Sequence, residues 1–352
     1  FLDNWLATGG FWVAVPLIIV GCVALIKGAD FLVDGASGLA KKYGVSDIVI
    51  GLTVVAFGTS MPEFVVNMVA VGQGSTEIAI TNVLGSNIIN TFVILGCTAL
   101  IFPISSQKTT RRFDIPFSML AALLVLLFAV YNSPSWLQIE HLFNMNITQP
   151  SINDLGSLNL GQGKAGFISG VGGCILLIFF LTFLWHNFKG IGSAPQTESN
   201  EGYKPMSAKR ALALILGGLV GLVVGGELIV KSATSIAHSL GVSDAIIGLT
   251  VVALGTSLPE LATSCMAAFK KNCDIALGNV IGSNIFNIFF IFGTSACVKA
   301  LPGYHGLEID ALMAALGSVL VMLFVYLTKK HEIKRWHGAI LLLTCAIVSP
   351  MQ

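Results

Sequence analysis

Long apolar stretches alternate with short polar segments along almost the whole chain. A helix needs about 20 apolar residues to cross a hydrocarbon core about 30 Å thick. Ten stretches approach or exceed that length, at about 11–37, 46–71, 78–101, 113–131, 166–188, 210–235, 243–269, 275–298, 309–328 and 335–350. The pattern therefore predicts an all-α polytopic membrane protein with ten transmembrane helices, of which the last is short.

Two long polar segments interrupt this series. The segment 189–209 separates two sets of five spans and is predicted as a flexible linker. The segment 132–165 lies between spans four and five, and its counterpart in the second set is only a few residues long. We therefore predict a first five-helix repeat over 1–188, carrying 132–165 as an insertion, and a second over 210–352.

One stretch of the chain occurs twice. Residues 44–96 align with residues 241–293 without a gap, and 29 of the 53 positions are identical. The identical positions include polar residues inside segments that are otherwise apolar enough to span a membrane. Because each set contains an odd number of spans, the two sets enter the membrane from opposite sides, which predicts inverted-topology repeats sharing one transport site.

The overall composition excludes an ordinary soluble domain. Of 352 residues, 55% are hydrophobic and 11% are charged, against about 25% charged in a typical soluble domain. The formal net charge of +1 identifies no partner by itself, and no nucleic-acid partner is predicted. Six of the seven cysteines fall in apolar segments and no CxxC pair occurs, so we predict small buried residues rather than a disulfide or metal site.

The distribution of positive charge predicts the orientation. With the N-terminus outside, the inner loops hold fifteen Lys and Arg residues and the outer loops hold two, Lys164 and Lys299. Cytoplasmic loops of membrane proteins carry such an excess. We therefore predict an integral protein of the plasma or inner membrane, with both termini and 132–165 outside and the 189–209 linker in the cytoplasm.

Polar chemistry is concentrated in the middle of spans two and seven. Residues 58–63 read Gly-Thr-Ser-Met-Pro-Glu, and residues 255–260 read Gly-Thr-Ser-Leu-Pro-Glu. An ionised glutamate at the bilayer centre costs roughly 3 kcal/mol or more, so it needs a partner or a function. Each proline lacks an N–H, which is predicted to loosen backbone carbonyls one to two turns earlier. The loosened carbonyls are at Gly58 and Gly255 and near Ala56 and Ala253.

These residues form the ligand set of a hard cation. In a continuous helix Thr59 and Ser60 share a face with Glu63, as Thr256 and Ser257 do with Glu260. Calcium takes six to eight oxygen ligands, and sodium uses the same oxygen types. Neither His nor Cys accompanies the motif, which argues against zinc or copper. The alternative is a proline kink with each glutamate hydrogen-bonded to a neighbouring helix.

Spans three and eight carry polar stripes on one helix face. The stripes consist of Asn82, Ser86 and Asn90 in the first repeat and Asn279, Ser283 and Asn287 in the second. They are predicted to add side-chain oxygens, and hydrogen bonding between helices is the alternative role. In spans one and six, Lys27 with Asp30 and Glu227 with Lys231 have spacings that suit intrahelical ion pairs.

The doubled motifs GTSxPE and GSNxxN make the chain resemble the cation/calcium exchanger superfamily, most closely the sodium/calcium exchanger branch and its prokaryotic relatives. The resemblance implies an antiporter with a central diamond formed by spans two, three, seven and eight, and with spans one and six as a sliding pair. It implies Glu63 and Glu260 as calcium ligands, assisted by Thr59 and Thr256. The sodium sites that it implies draw on Ala56, Thr59, Ser60, Ser86, Ala253, Thr256, Ser257 and Ser283.

Two departures bear on the transported ions. The proton-coupled branch resembles GNxxE at the first motif, where this chain has Thr-Ser, and many potassium-dependent relatives place Asp where this chain has Asn287. We therefore predict sodium/calcium antiport by alternating access, with no cofactor beyond the transported Ca²⁺ and Na⁺. A calcium/proton exchanger and a potassium-dependent exchanger are the alternatives, and a cation channel is less favoured. Because Ser60 has no nearby His or Lys base, the chain is not predicted to be an enzyme.

Overall fold

The computed structural model describes residues 2–131, 166–189, 206–242, 253–304 and 306–348, which are mostly helical. Each of the ten predicted spans overlaps a helical segment in these ranges. The helices are α1 Leu2–Tyr43, α2 Asp47–Thr59, α3 Met61–Gly72, α4 Thr76–Ile101, α5 Ile115–Tyr131, α6 Gly170–Lys189, α7 Ala208–Ser239, α8 Ala253–Thr256, α9 Leu258–Phe269, α10 Cys273–Val298, α11 Leu307–Leu327 and α12 Arg335–Val348.

Seven helices of the described ranges are long and apolar enough to cross a membrane, or eight if the bent pair α2 and α3 counts as one span. The helical membrane class predicted from the apolar pattern is thus confirmed. The predicted insertion 132–165 and most of the predicted linker lie outside the described residues, as do the first ten residues of the predicted seventh span.

Local sequence signals set where several helices begin and end. Ser207 caps α7 by accepting a hydrogen bond from the backbone N–H of Arg210, and Asn272 caps α10 through Ile275 in the same way. After α1 and α7 the chain turns at Gly44 and Gly241, whose φ values of 63° and 77° suit glycine. These two glycines occupy equivalent positions of the repeat.

Within the described residues, wider π-helical turns occur at four places. The turns are Gly51–Val55 in α2, Ile89–Ile94 in α4, Thr110–Asp114 before α5 and Phe286–Phe292 in α10. Those in α4 and α10 lie at equivalent positions of the two repeats. Such turns are rare and frequently mark functional sites.

Among the residues that the structure describes, two short antiparallel strand pairs connect the two halves of the chain. Strand β1, Ile104–Ser105, pairs with β4, Glu332–Ile333, and β2, Gly166–Ile168, pairs with β3, Leu301–Pro302. Strands β1 and β3 are equivalent in the repeat and each pairs with a strand from the other half. Each pair therefore joins the end of a repeated segment to the other half of the chain.

Helix α10 lies at the centre of the molecule and is almost wholly buried. It crosses α2 where two glycines meet, since a Cβ added at Gly51 would lie 3.1 Å from Ile275 Cα and one added at Gly278 would lie 3.0 Å from Gly51 Cα. Small residues at a helix crossing let the backbones approach closely in membrane proteins. The centre of the fold thus joins a helix from each half.

The prediction that the cysteines are buried is wrong for three of them. Cys22, Cys174 and Cys297 are exposed, whereas Cys273 is buried. Apolar helices of a membrane protein present residues on their outer faces, so an apolar segment does not by itself imply a buried side chain.

Candidate functional site

The two motif glutamates lie just after breaks in their helices. The axis bends by 45° between α2 and α3, and Ser60, with φ −86° and ψ 8°, separates the two helices. Ser257 has nearly the same conformation, with φ −88° and ψ 2°. Each proline therefore stands in the first turn of a new helix, where a missing N–H costs no hydrogen bond.

The helix break changes the partner of each serine. Ser60 donates its hydroxyl hydrogen to Oε1 of Glu260 at 2.8 Å, and Ser257 donates to Oε1 of Glu63 at 3.4 Å. The expectation that Ser60 faces Glu63 on a shared helix face is therefore corrected, since that spacing rule needs a continuous helix. Each half supplies a hydroxyl to the carboxylate of the other.

Both glutamates are removed from solvent, with 1% of each residue exposed. Oε2 of each carboxylate has no hydrogen-bond partner among the described residues. A buried acceptor without a donor costs about 1–3 kcal/mol, and more when it is charged. The arrangement therefore favours binding of a cation near these two oxygens.

Two asparagines hold the helices that carry the glutamates. Asn82 Nδ2 donates to the backbone carbonyl of Glu63 at 3.2 Å and to Asn67 Oδ1 at 2.7 Å. Asn279 Nδ2 donates to the carbonyl of Glu260 at 3.2 Å. The contacts favour the interhelical hydrogen-bonding role for this pair.

Asn279 makes two further contacts. Its Nδ2 donates to Ser264 Oγ at 2.9 Å, and its Oδ1 accepts from Thr59 Oγ1 at 3.0 Å. Asn67 and Ser264 are equivalent positions that the sequence reasoning missed. Their signal is weak, because the two repeats carry different residue types there.

A second polar layer lies one turn further along α4 and α10. Asn287 Nδ2 donates to Asn87 Oδ1 at 3.1 Å, and Asn284 Nδ2 donates to Thr91 Oγ1 at 2.9 Å. Asn87 and Asn284 were also missed, although both are identical between the repeats. They link α4 to α10 directly beside the predicted ligands.

Oxygens without donors extend into this layer. Oδ1 of Asn90, Oδ1 of Asn287 and Oγ of Ser283 are buried without a partner among the residues described. Together with Glu63 Oε2 and Glu260 Oε2 they include two equivalent pairs of acceptors. Carboxylate, amide and hydroxyl oxygens are the donor set of Ca²⁺ and Na⁺.

The remaining predicted ligands differ in their burial and in their hydrogen bonds. Ser86 and Thr59 are buried, and Thr256 is partly buried. The Ala56 carbonyl is not bare as expected, because it accepts from Ser60 N at 3.0 Å and from Thr59 Oγ1 at 3.3 Å. Ala253 opens α8, one helical turn before Ser257.

Helices α1 and α7 form a long pair packed through glycines. A Cβ added at Gly28 would lie 2.7 Å from Leu222 N and 2.8 Å from Gly218 O. A Cβ added at Gly218 would lie 2.7 Å from Gly28 O. At these two glycines backbone meets backbone with no side chain between them, which favours sliding of one helix along the other.

One lysine fastens α1 to the end of α9. Lys270 Nζ lies 2.6 Å from Asp30 Oδ1 and 2.5 Å from Asp34 Oδ1. Asp30 was expected to pair with Lys27, but its observed partner comes from another helix. On α7 the expected intrahelical pair is present, with Lys231 Nζ 3.1 Å from Glu227 Oε1.

The chain is similar to known proteins along most of its length. The sequence signature of the family described as sodium/calcium exchanger protein matches residues 13–189 and 210–348. A putative antiporter, CaxA, of Alkalimonas amylolytica is 36% identical over 337 residues, covering 94% of this chain and 96% of that protein. The sodium/calcium exchanger MaX1 of Methanosarcina acetivorans is 34% identical over 345 residues, covering 93% and 95%.

The chain also resembles solved structures of a sodium-calcium exchanger. The fold matches the sodium-calcium exchanger NCX_Mj soaked with 2.5 mM Na⁺ and 10 mM Sr²⁺ with a TM-score of 0.77 and 30% identity. The match covers 97% of this chain and 99% of that one.

Proposed function

Because the chain belongs to the sodium/calcium exchanger protein family, we propose that it exchanges Na⁺ for Ca²⁺ by alternating access, with the ions held between Glu63 and Glu260. The family and the transporter-like fold make it a membrane transporter and not an enzyme. The observation that carries the proposal is the reciprocal pairing of Ser60 with Glu260 and of Ser257 with Glu63. It leaves one carboxylate oxygen of each glutamate without a hydrogen-bond partner among the described residues.

We assign the calcium and sodium ligands from the places that the residues occupy around the two glutamates. Glu63 and Glu260 supply the charge for Ca²⁺, and the oxygens of Asn90 and Asn287 complete the layer below them. The sodium ligands proposed are hydroxyl and backbone oxygens of the same elements. They comprise Ala56, Thr59, Ser60, Ser86, Ala253, Thr256, Ser257 and Ser283.

Two buried carboxylates explain why transport is coupled. Moving the empty site across the membrane would carry about two unpaired charges, at roughly 3 kcal/mol each. A total of about 6 kcal/mol slows the return of the empty carrier about 10⁴-fold, since each ~1.4 kcal/mol is a factor of ten. One calcium ion or several sodium ions neutralise the pair and permit the switch, so exchange is faster than leak.

We also propose the ten-span inverted-repeat architecture, in the plasma or inner membrane with both termini outside. The strand pairs support it. With ten spans, the connections that carry β1 and β4 lie on one side of the membrane, and those that carry β2 and β3 lie on the other. Strands must share a side in order to pair, so these pairings agree with the even numbers of spans between them.

Calcium/proton exchange is the second candidate. The unpartnered Oε2 atoms of Glu63 and Glu260 can accept protons as well as cations. Protonation would neutralise the empty site and let it return without sodium. A transport assay therefore needs separate sodium and proton gradients.

The test uses the purified chain in proteoliposomes. Vesicles loaded with Na⁺ are diluted into sodium-free medium, and radioactive calcium uptake is followed. We expect uptake that disappears when the sodium gradient is collapsed. Uptake driven by a pH gradient without sodium would replace the first proposal with the second, and uptake that requires external or internal K⁺ would indicate potassium coupling.

Two variants test the site itself. Glu63→Gln and Glu260→Gln keep the shape of the side chain but remove its charge, and each is expected to lower calcium uptake by about 10²-fold. Glu77→Gln is the matched control, because Glu77 is exposed in the first turn of α4. Full transport by either site variant would refute the ligand assignment.

A further inference from the structure

Two exposed cysteines from opposite halves of the chain lie side by side. Cys174 is in the second turn of α6 and Cys297 is in the last turn of α10. Their Sγ atoms are 3.7 Å apart, and the Cys297 thiol also contacts the Gly170 carbonyl at 3.8 Å. A disulfide has an S–S distance of about 2.05 Å, so the two atoms need to approach by about 1.7 Å.

The backbones on both sides of this pair are already held together. A Cβ added at Gly173 would lie 2.7 Å from Gly293 O and 3.0 Å from Cys297 N. Beyond the helix ends β2 pairs with β3, with Ile168 opposite Leu301. The two helices that carry the cysteines are therefore packed in direct contact beside the pair.

The pair lies at the end of the molecule that the charge pattern assigns to the outside. Cys297 is two residues before Lys299, one of the two positive residues predicted in outer loops. Disulfides form and persist in the oxidising compartments outside the cytoplasm. On the predicted orientation both cysteines therefore lie towards the side of the membrane where oxidation is favoured.

We propose that Cys174 and Cys297 form a disulfide that joins the two halves of the exchanger on its outer side. A thiolate of the pair attacks the disulfide of a thiol oxidoreductase, and a mixed disulfide forms. The second thiolate then displaces the oxidoreductase, which leaves as a dithiol. The pair loses two protons and two electrons, and the oxidoreductase disulfide accepts the electrons.

The link joins a first-half helix to the helix that carries Ser283 and Asn287. It does not touch the α1 and α7 pair, whose glycine seam is separate from it. The disulfide is therefore expected to raise the thermal stability of the chain and to leave its transport rate within about twofold.

The test expresses the full-length chain and then cleaves it between its two halves. A protease site is placed within 190–205, and cells are lysed in N-ethylmaleimide to trap the thiols as they stand. After cleavage we expect one band of full size on a non-reducing gel and two bands after reduction. Two bands without reductant from the trapped chain would overturn the proposal, whether the thiols are unpaired or face the cytoplasm.

Single substitutions identify the partners. Cys174→Ser and Cys297→Ser are each expected to give two bands with or without reductant, and Cys97→Ser is the control that keeps the link. A link that survives Cys174→Ser would also overturn the assignment. Melting of the detergent-solubilised chain with and without reductant checks that each variant folds.

Discussion

Ser60 donates a hydrogen bond of 2.8 Å to Glu260, although the two residues belong to different halves of the chain. The equivalent bond from Ser257 to Glu63 is longer, at 3.4 Å. The halves therefore contribute to each other's carboxylates, with the stronger support on Glu260.

Removing the shorter bond should weaken ion binding more than removing the longer one. Hydrogen bonds to charged groups contribute about 1.5–3 kcal/mol, so Ser60→Ala is expected to raise the half-saturating calcium concentration about tenfold or more. Ser257→Ala is the matched comparison and should have the smaller effect. Calcium titration of transport in proteoliposomes measures both, and equal effects would contradict the asymmetry.

The two interhelical asparagines should differ in their effect on stability. Asn279→Ala removes contacts to Glu260, Ser264 and Thr59, whereas Asn82→Ala removes contacts to Glu63 and Asn67. Each lost buried bond costs about 1–3 kcal/mol, so Asn279→Ala should lower the melting temperature further. Thermal unfolding in detergent gives the order, and the reverse order would argue against these contacts.

The ion pairs of Lys270 should restrain α1. Lys270→Gln places there the residue type that the first half has at Gln73, and it removes both pairs. Because the groups are partly exposed, each pair contributes about 0.2–1 kcal/mol, so we expect a change in transport rate of a few-fold at most. The effect should shrink in high salt.

Lys271→Gln is the control for that variant. It removes the same charge next to Lys270, but no ion pair of Lys271 occurs among the described residues. Transport rates measured at low and high ionic strength distinguish the two. Identical behaviour of both variants would mean that net charge, and not the ion pairs, sets the rate.

Sliding of α1 along α7 should require glycine in the seam between the two helices. Gly28→Ala would place a Cβ 2.7 Å from Leu222 N, so α1 and α7 must separate. We expect transport to slow by about tenfold or more while calcium binding is kept. Gly217→Ala is the control on α7, since a Cβ there meets nothing within 4 Å. Normal transport by Gly28→Ala would rule out sliding along this seam.

The sequence predicted the features that depend on composition and repetition. Apolar length located the helices, and the doubled motif singled out Glu63 and Glu260, which the structure buries beside serines of the opposite half. It could not assign Ser60 to Glu260, because the helix break redirects the side chain across the molecule. It also could not assign Lys270 to Asp30, since that contact depends on how two helices pack.

The strand pairs have a consequence for how the chain is made. Strand β1 is synthesised early, but its partner β4 lies near the end of the chain. During translation β1 therefore has no partner until residues 106–331 have been made. Until Glu332 is made, the backbone groups of β1 that bond to β4 have no partner strand.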